Sequence, residues 1–538
     1  MLSSTTHTSR VKKTTGLRYW MLRVLEECER VAADFSPDPV HDLRVALRRC
    51  RSLADGLHAL DPDPSWKAMR KAGKRLFQRL GALRDIQIMM DWIEKLEPVQ
   101  SRVERAPTPA TLTSEQNLNS ILDLDRQAGG DPAAHALLLI LAAREEQQKL
   151  EAHAALEEFD RKQWRQWARI LPARAASIRL GSALFKHLAL ERWTEARQLH
   201  NRALRNRSQT AFHSLRIGIK RFRYIVENFL PAEHKAWSND LKEMQDLLGE
   251  VHDLDVLWAT AVCCHTFPND DSRRRWHERI LSERTRRIER YRKKMIGNDS
   301  LWQFWRAGLP QGKQIQVLAI RRMKVWANGL DPDFAHSERV ASLALQLYDG
   351  LLASGWQPSA DAVSARSSLL AAALLHDVGK SEGEKGHHKT SFDMIRAHGN
   401  PLGWKAGDLQ RAAVVARFHR GPLPTRKHSA LRDLLPDEQK ATIQLTAILR
   451  LANAFDAAHD GHIRRVQIEN REIRTKENEA VLIAAEGYSP LSASAQTIAA
   501  GRHLLETVLH RPVIVKPMKI VTRSQSQPAR PLYRPGKR

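Results

Sequence analysis

Two stretches in the first half of the chain repeat the same pattern, and this duplication limits the folds that the half can adopt. Residues 41–51 (HDLRVALRRCR) match residues 213–223 (HSLRIGIKRFR). Residues 80–88 (LGALRDIQI) match residues 248–256 (LGEVHDLDV), in the same order and at nearly the same separation. Ordered matches at one separation indicate the tandem duplication of a structural unit. We therefore expect this region to contain two similar halves.

Each copy of the first motif has the apolar spacing of an α-helix. Four apolar residues stand at i, i+4, i+7 and i+11, which is one helix face. They are Leu43, Leu47, Cys50 and Ala54 in the first copy, and Leu215, Ile219, Phe222 and Val226 in the second. Helical periodicity dominates the rest of the chain, and residues 512–522 are the clearest extended segment. The predicted fold class is all-α: a tandem-duplicated antiparallel helical bundle, then an all-helical domain with a short C-terminal strand-like segment.

Proline, glycine and charge divide the chain into regions. A very basic helix is predicted at residues 273–294, and the glycines that follow it indicate a boundary at residues 297–314. The tail is basic and rich in proline, so we predict that it is disordered. The expected domains are residues 11–296, with repeats at about 11–100 and 190–296, then residues 314–517, then the tail at residues 524–538.

A positively charged stripe lies beside the apolar face in both copies. It consists of His41, Arg44, Arg48 and Arg51 in the first, and of His213, Arg216, Lys220 and Arg223 in the second. Neither helix has an acidic residue along the stripe, between Leu43 and Ala54 or between Ser214 and Val226. Solvated faces normally mix both signs, because like charges one turn apart destabilise a helix. The stripes therefore predict an anion site.

The charge of the whole chain indicates the class of partner. Lys and Arg number 86 against 61 for Asp and Glu, a formal charge of +25, which favours a polyanion. Arginine suits phosphate because its planar guanidinium can donate two parallel hydrogen bonds. Few aromatic residues are interleaved with the stripes, and single-stranded nucleic acid is usually held by stacking on such rings. Nucleic acid is therefore the less favoured partner.

Targeting features are lacking in this sequence. No apolar run approaches the ~18–20 residues of a membrane span, and residues 1–10 have no apolar signal core. The four cysteines form no CxxC pair, so we expect reduced structural thiols. We predict a cytoplasmic protein with no membrane partner.

The duplicated motif resembles the CHAD domain over roughly residues 11–294. CHAD domains are all-helical, have two similar four-helix halves around a basic channel, and bind inorganic polyphosphate. The resemblance implies that the eight residues of the two stripes line such a channel, and it predicts that the protein localises to polyphosphate granules. It also implies further contacts from Lys74, Arg84 and Lys242. His252 replaces Arg84 in the second copy and contributes less fixed charge.

A different motif follows in the second half of the chain. The apolar run 368–375 ends in His376-Asp377-Val-Gly-Lys380, which offers one nitrogen and one oxygen ligand at a helix end. A metal needs more ligands than this pair. Further candidates are His336, His387, His388, His419, Asn453 and Asp456.

The order of these residues resembles the HD phosphohydrolase superfamily. The strings LLHDVGK, GHHKTS, ARFHRGPLP and ILRLANAFD are similar to the C-terminal HD domain of the exopolyphosphatase/guanosine pentaphosphatase family. The resemblance implies a divalent cofactor, Mn, Mg, Fe or Ni, bound by His336, His376 and Asp377. It assigns His388 and His419 to a second metal or to phosphate, and Lys380 and Arg420 to phosphate contacts in catalysis.

One position departs from the HD pattern and leaves two functions open. Asn453 stands where the family has Asp, and an amide oxygen is a neutral and weaker ligand. Asp456, one helical turn later, is expected to replace it as a ligand. The first hypothesis is a metal-dependent phosphohydrolase acting on polyphosphate or nucleotide phosphates, coupled to polyphosphate binding. The alternative is a non-catalytic polyphosphate-binding, granule-targeting protein with a degenerate HD domain.

Overall fold

The computed structural model describes residues 16–96, 131–405, 407–469 and 480–518. The chain divides into two compact units, Met1–Leu318 and Ala319–Arg538. Within the described residues, no helix has the length and apolar character that crossing a bilayer requires. All four cysteines are free thiols, and Cys28 and Cys50 are buried. The tail predicted at residues 524–538 lies outside the described residues.

The first unit is built from helices. They are α1 (Leu17–Ala33), α2 (Pro37–His58), α3 (Pro64–Ala72), α4 (Lys74–Leu96), α5 (Pro132–Glu157), α6 (Arg161–Ala176), α7 (Ala183–Asn206), α8 (Gln209–Phe229), α9 (Pro231–Cys263), α10 (Asp270–Met295) and α11 (Leu301–Ala307). In the first repeat α1 packs on α2 and α4 packs on α5, and in the second α7 packs on α8 and α9 on α10. Helix α2 contacts α8, and α4 contacts α9, so equivalent helices of the two repeats meet. The predicted duplicated bundle is confirmed.

Helices α2 and α8 bury the apolar faces that their sequences predict. All eight residues of the two faces are at most 1% exposed. The N-cap Ser208 accepts a hydrogen bond from the Ala211 amide and starts α8, which stops before Pro231. Because Leu47 is fully buried, a change such as Leu47→Ala should cost about 2–5 kcal/mol.

Polar contacts fix α2 against α8. Arg49 forms an ion pair with Glu227, and the Asn228 amide donates a 2.9 Å hydrogen bond to Ser52 Oγ. Gly56 permits the close approach, since a Cβ there would lie 2.2 Å from the Phe229 ring. The basic stripes of the two repeats are therefore brought to one place by a specific interface.

The second unit surrounds one apolar helix. Its elements are α12 (Lys313–Asn328), which contains the boundary between the units, α13 (Phe334–Ala353), α14 (Ala362–Leu375), a 3₁₀ turn (Val378–Ser381), α15 (His387–His398), α16 (Asp408–Arg417), α17 (Ser429–Arg432), α18 (Pro436–Phe455) and α19 (Ser494–Leu509). Residues 371–375 of α14 are at most 1% exposed. A helix that is apolar on all sides lies in the core, and here α13, α16 and α18 pack around it.

A small sheet completes the second unit. Strand β1 (Val466–Glu469) pairs antiparallel with β2 (Val481–Ala485), and β2 pairs parallel with β3 (Val513–Pro517). The registers place Val466 opposite Ala485 and Val481 opposite Val513. Strand β3 confirms the predicted extended segment. The sequence does not predict β1 or β2, because β1 has only four residues and the short apolar run of β2 fits a buried helix equally well.

Candidate functional site

The basic stripes of the two repeats converge on one cavity of the first unit. Its volume is ≈ 310 Å³. Arg44 and Arg48 reach it from α2, and Arg216 and Lys220 reach it from α8. The rest of the lining is Phe77 of α4, Tyr224 of α8, and Gln245, Asp246, Gly249, Glu250 and Asp253 of α9.

Aromatic rings hold the guanidinium groups of α2. Arg44 and Arg51 lie 5.4 Å and 4.8 Å from the centroid of the Phe77 ring, and Arg48 lies 5.9 Å from that of Tyr224. Arg44 Nη1, Arg48 Nε and Arg51 Nη1 are buried and have no hydrogen-bond partner among the residues that the structure describes. Buried donors without partners are costly, and an anion in the cavity would satisfy them.

Gly81 explains why the second repeated motif contains glycine. A Cβ at this position would lie 2.7 Å from Arg44 Nη1, so only glycine leaves room for the guanidinium against α4. The equivalent Gly249 has no atom within 4 Å of the corresponding Cβ position and faces the open cavity. The motif therefore leaves room beside the Arg44 guanidinium in the first repeat and lines the cavity in the second.

The density of positive charge is visible in the titration of Lys220. Burial, and then the nearby charges of Arg216, Arg48 and Arg44, lowers the pKa of Lys220 to about 8. Burial also lowers the pKa of Arg44. Both shifts mean that the cavity destabilises the charged forms of Lys220 and Arg44. A bound anion would stabilise these charged forms.

The other predicted anion-binding residues lie at different distances from the cavity. Arg51 and Arg84 are half-buried and act electrostatically on Lys220 and Asp253, respectively. Arg223 and Lys242 act on Asp246, and His213 Nδ1 lies 3.3 Å from His252 Nδ1. His41 and Lys74 are exposed and do not line the cavity.

The stripe pattern in the sequence does not predict that carboxylates of α9 also line this cavity. Asp246, Glu250 and Asp253 line the wall together with the arginines. Burial raises the pKa of Asp253 to about 6, partly offset by Arg216, while the charge of Asp85 adds to the increase. No acid lies between Leu43 and Ala54 or between Ser214 and Val226, but acids of the neighbouring helix α9 line the same cavity. The sequence did carry a signal for Asp253. This residue ends the string LGxxHD, and Asp85 ends the matching string LGxxRD of the first repeat.

A second candidate site is formed by helix ends in the second unit. His336 lies in the first turn of α13, His376 and Asp377 follow α14, His387 begins α15, and His419 follows α16. All five are buried. Their ligand atoms form two groups, within 4.8 Å in each: His336, His376 and Asp377, and Asp377, His387 and His419. Each group could hold a metal ion, and Asp377 belongs to both.

Backbone carbonyls orient three of these histidines. In each ring Nδ1 donates to the carbonyl three residues earlier, which leaves Nε2 as an acceptor in His376 and His419. The partners are Ala373 at 2.8 Å for His376, Glu384 at 2.9 Å for His387 and Ala416 at 2.7 Å for His419. His387 Nε2 instead faces the Asp377 carboxylate, which raises the pKa of this histidine. His376 Nε2 is buried and has no hydrogen-bond partner. The donor set therefore fits a metal ion.

The protonation states also suit metal binding. Burial lowers the pKa of His376 and of His419, so both rings are neutral near pH 7. Burial raises the pKa of Asp377, but His376, the hydrogen bond from His387 and Lys380 hold it well below the usual range. Lys380 Nζ lies 2.6 Å from Asp377 Oδ2, and His387 Nε2 lies 3.1 Å from Oδ1.

Asn453 and Asp456 lie on opposite sides of the His336 ring. Asn453 Oδ1 is 3.0 Å from Nε2, whereas Asp456 Oδ2 is 2.8 Å from Nδ1. Asp456 also accepts from Arg339 Nε at 2.8 Å and from the Gly461 amide at 3.0 Å. The structure thus places Asp456 behind the ring and outside both metal groups, not in the ligand position expected for it. With Nδ1 donating to Asp456, Nε2 and the Asn453 oxygen are both acceptors, which a shared cation would satisfy.

His387, and not the expected His388, enters the second group. Successive helical residues point about 100° apart, so only one of the two can face Asp377. His388 is half-buried, its Nδ1 has no hydrogen-bond partner, and burial followed by Arg417 lowers its pKa to about 4. The hydrogen bond to Asp377 raises the pKa of His387, and the charge of the exposed Arg420 opposes this rise, so Arg420 lies at the rim.

Gly379 sets the distance between the 3₁₀ turn and α15. A Cβ at this position would lie 2.3 Å from the His387 carbonyl oxygen and 2.6 Å from the Ser391 amide nitrogen. The Gly379 amide donates a 2.9 Å hydrogen bond to Ser391 Oγ. The glycine of the HDVGK string is therefore required for His387 to approach Asp377.

Comparison with known proteins identifies both units and confirms both resemblances. Residues 21–262 match the CHAD domain family, and residues 320–497 match the family described as Ppx/GppA phosphatase, domain III. No curated protein matches the chain. A solved structure, the CHAD domain from the plant Ricinus communis, is 20% identical and aligns over 54% of this chain and 88% of its own, with a TM-score of 0.32. The chain therefore contains a CHAD domain at residues 21–262, followed at residues 320–497 by a Ppx/GppA phosphatase domain III, an HD-like helical domain.

Proposed function

We propose that this protein binds inorganic polyphosphate in the cavity of its CHAD domain, and that its second unit is a metal-dependent phosphohydrolase acting on polyphosphate or nucleotide phosphates. One observation supports the binding half most directly. Arg44 and Arg48 of one repeat and Arg216 and Lys220 of the other line a single cavity. Buried guanidinium donors without partners accompany them.

The cavity suits a chain of phosphates better than nucleic acid. Guanidinium groups pair with phosphate oxygens, and partly buried charges are screened less by salt than exposed ones. The nearby rings of Phe77 and Tyr224 are already covered by Arg44, Arg51 and Arg48. Cations therefore already lie beside these rings, whereas nucleic-acid grooves commonly provide aromatic rings for stacking bases.

In the second unit the chain's own residues would hold the metal and the substrate. His336, His376 and Asp377 would bind one ion, and Asp377, His387 and His419 a second. A bound metal supplies a nucleophile from water and neutralises phosphoryl oxygens. Lys380 holds the Asp377 carboxylate, and Arg420 at the rim would bind a phosphate oxygen. The imidazole-rich donor set favours Fe or Ni over Mg or Mn.

A specific observation favours the non-catalytic alternative. The oxygen next to His336 Nε2 belongs to the Asn453 amide and carries no charge. Asp456 is held on the opposite face of the ring by Arg339. The first group then has one carboxylate, Asp377, which it shares with the second group. Under this alternative the unit binds metal weakly, and the protein serves to bind polyphosphate, for example at granules.

Charge reversal tests the binding half. Arg48→Glu combined with Arg216→Glu should abolish polyphosphate binding, measured by titration at fixed salt. The matched control is Arg273→Glu combined with Arg275→Glu, which changes the net charge equally at exposed positions of α10. Equal loss in both double variants would mean that general charge, and not the cavity, holds the polymer. If RNA or DNA resists displacement by polyphosphate at the same salt concentration, nucleic acid is the preferred partner.

Metal loading and turnover test the second half. The purified protein is stripped with chelator, reloaded with Mn, Fe, Ni or Mg, analysed for bound metal, and assayed on polyphosphate and nucleotides. The phosphohydrolase proposal expects bound metal and turnover that His376→Ala removes and the exposed control His503→Ala retains. Bound metal without turnover, with activity gained in Asn453→Asp, would support the degenerate alternative. If the protein shows neither bound metal nor turnover, the enzymatic proposal is overturned. The proposal of polyphosphate binding is not affected by this result.

A further inference from the structure

The wall of the CHAD cavity is not uniformly basic. Four cationic side chains, Arg44, Arg48, Arg216 and Lys220, line it together with three carboxylates of α9. When all of these groups are ionised, most of the positive charge in the lining is balanced. A polyanion that enters must therefore take cations away from carboxylates that already face them.

Two of the acids near the cavity occupy equivalent positions in the repeats. Asp85 of α4 and Asp253 of α9 end the duplicated motif, and α4 packs against α9. They are close enough for the charge of Asp85 to act on Asp253, and Arg44 and Arg216 act on Asp85. Within the described residues, neither carboxylate accepts a hydrogen bond from a side chain. Their ionisation therefore depends on charges at a distance rather than on a committed partner.

Occupation of the cavity changes the surroundings of this pair. In the free protein the arginines stabilise the two carboxylates, which otherwise repel each other in a partly buried place. Phosphate oxygens on those arginines would cancel the stabilisation and add like charge. Building on the proposed polyphosphate function, we propose that polyanion binding is coupled to proton uptake by the Asp85–Asp253 pair, so that the CHAD cavity binds polyanions more tightly as the pH falls.

The direction of the pH dependence and the pH range in which it occurs follow from Asp253. Burial raises the pKa of this residue to about 6. Below that value the free protein already carries the proton, so binding takes up none and affinity does not depend on pH. Above it, binding must bring the proton in, and affinity falls by about tenfold per pH unit for each proton taken up. The coupling is therefore expected around neutral pH.

Other charged groups lie around the Asp85–Asp253 pair. Their contributions to the pH dependence must be distinguished from that of the pair. From α2 these are Arg44, Arg48 and Arg51, from α4 Arg84, from α8 His213, Arg216 and Lys220, from α9 Asp246, Glu250 and His252, and from α10 Arg287, which pairs with Glu250. The arginines do not titrate. Lys220, with a pKa of about 8, contributes only above neutrality. His252, whose pKa burial lowers to about 4, is the group most able to mimic the aspartates.

Calorimetry of the full chain tests the proposal. Binding is measured below and above neutrality in buffers of different ionisation enthalpy, with long-chain polyphosphate and with poly(vinyl sulfate), which has no titrating groups. We expect proton uptake with both polymers. Around neutral pH, Asp85→Asn combined with Asp253→Asn should remove the uptake, flatten the pH profile and strengthen binding, while the contribution of Lys220 at higher pH should remain. Asp240→Asn on the same helix is the matched control and should behave as the wild type.

The outcomes separate this inference from the function on which it rests. If the wild-type protein binds neither polymer, polyphosphate binding itself is wrong. If it binds without proton uptake, the coupling is overturned and the binding function stands. The same holds if uptake persists in the double Asp variant and disappears in His252→Gln, because the histidine would then carry the proton.

Discussion

Gly379→Ala should break one metal group of the second unit and spare the other. The new Cβ would lie 2.3 Å from the His387 carbonyl oxygen and 2.6 Å from the Ser391 amide nitrogen, both backbone atoms of α15 that no rotamer change can move. Helix α15 must therefore shift, which also strains the 2.9 Å hydrogen bond from Gly379 to Ser391. Overpacking costs about 1–3 kcal/mol and the lost hydrogen bond about 1 kcal/mol, so we expect a loss of roughly 2–4 kcal/mol.

The shift acts mainly on His387. This ring stands 3.1 Å from Asp377 Oδ1 and 3.3 Å from His419 Nε2, contacts that α15 alone positions. His336 and His376 belong to other helices and should keep their places. If both groups bind metal as proposed, the variant should therefore retain one ion where the wild type is expected to bind two.

Elemental analysis after reloading measures the metal content, and thermal denaturation measures the stability. Gly249→Ala is the control, because its Cβ would meet no atom within 4 Å and alanine is favoured over glycine inside a helix. A Gly379→Ala protein with unchanged melting temperature and undiminished metal content would refute the role assigned to this glycine.

Three further predictions concern Gly81, Asp456 and Lys220. Gly81→Ala should push Arg44 away from α4 and weaken polyphosphate binding at constant fold, measured by titration and circular dichroism; unchanged affinity would contradict the close approach. Asp456→Asn should lower metal affinity about 10–100-fold by loosening His336, as seen in competition with a chelator, and a complete loss would instead indicate a direct ligand. Polyphosphate binding should weaken as the pH rises through about 8, because Lys220 then loses its charge, and Lys220→Arg should remove this part of the pH dependence.

Where two residues close in the sequence are both candidate metal ligands, the tertiary structure decides between them. The order of histidines and aspartates predicts a metal site, and the structure gathers His336, His376, Asp377 and His419 as candidates for it. The order cannot choose between His387 and His388, because the rotation of α15 decides which ring faces Asp377. Nor can it choose the side of His336 on which Asn453 and Asp456 lie, since the end of α18 sets both positions.

The cavity of the CHAD domain shows a similar division. Apolar spacing along α2 and α8 predicts which residues are buried, since it depends only on helix geometry, and all eight are. The absence of acids along the stripes predicts unbalanced charge, yet α9 brings Asp246, Glu250 and Asp253 to the same wall. A charge on a distant segment is invisible to periodicity, and electrostatic energy depends on distance in space.

For this protein the sequence by itself determined the helical class, the duplication, the basic stripes and the types of residue available as ligands. These properties are local or repeated, so helix geometry and pattern matching reveal them. Only the tertiary structure decided that the two stripes share one cavity with carboxylates of α9, that His387 enters the metal group, and that Asp456 stands behind His336. Each of these depends on how separate helices rotate and pack, because one step along a helix turns a side chain by about 100° and packing fixes which direction faces inward.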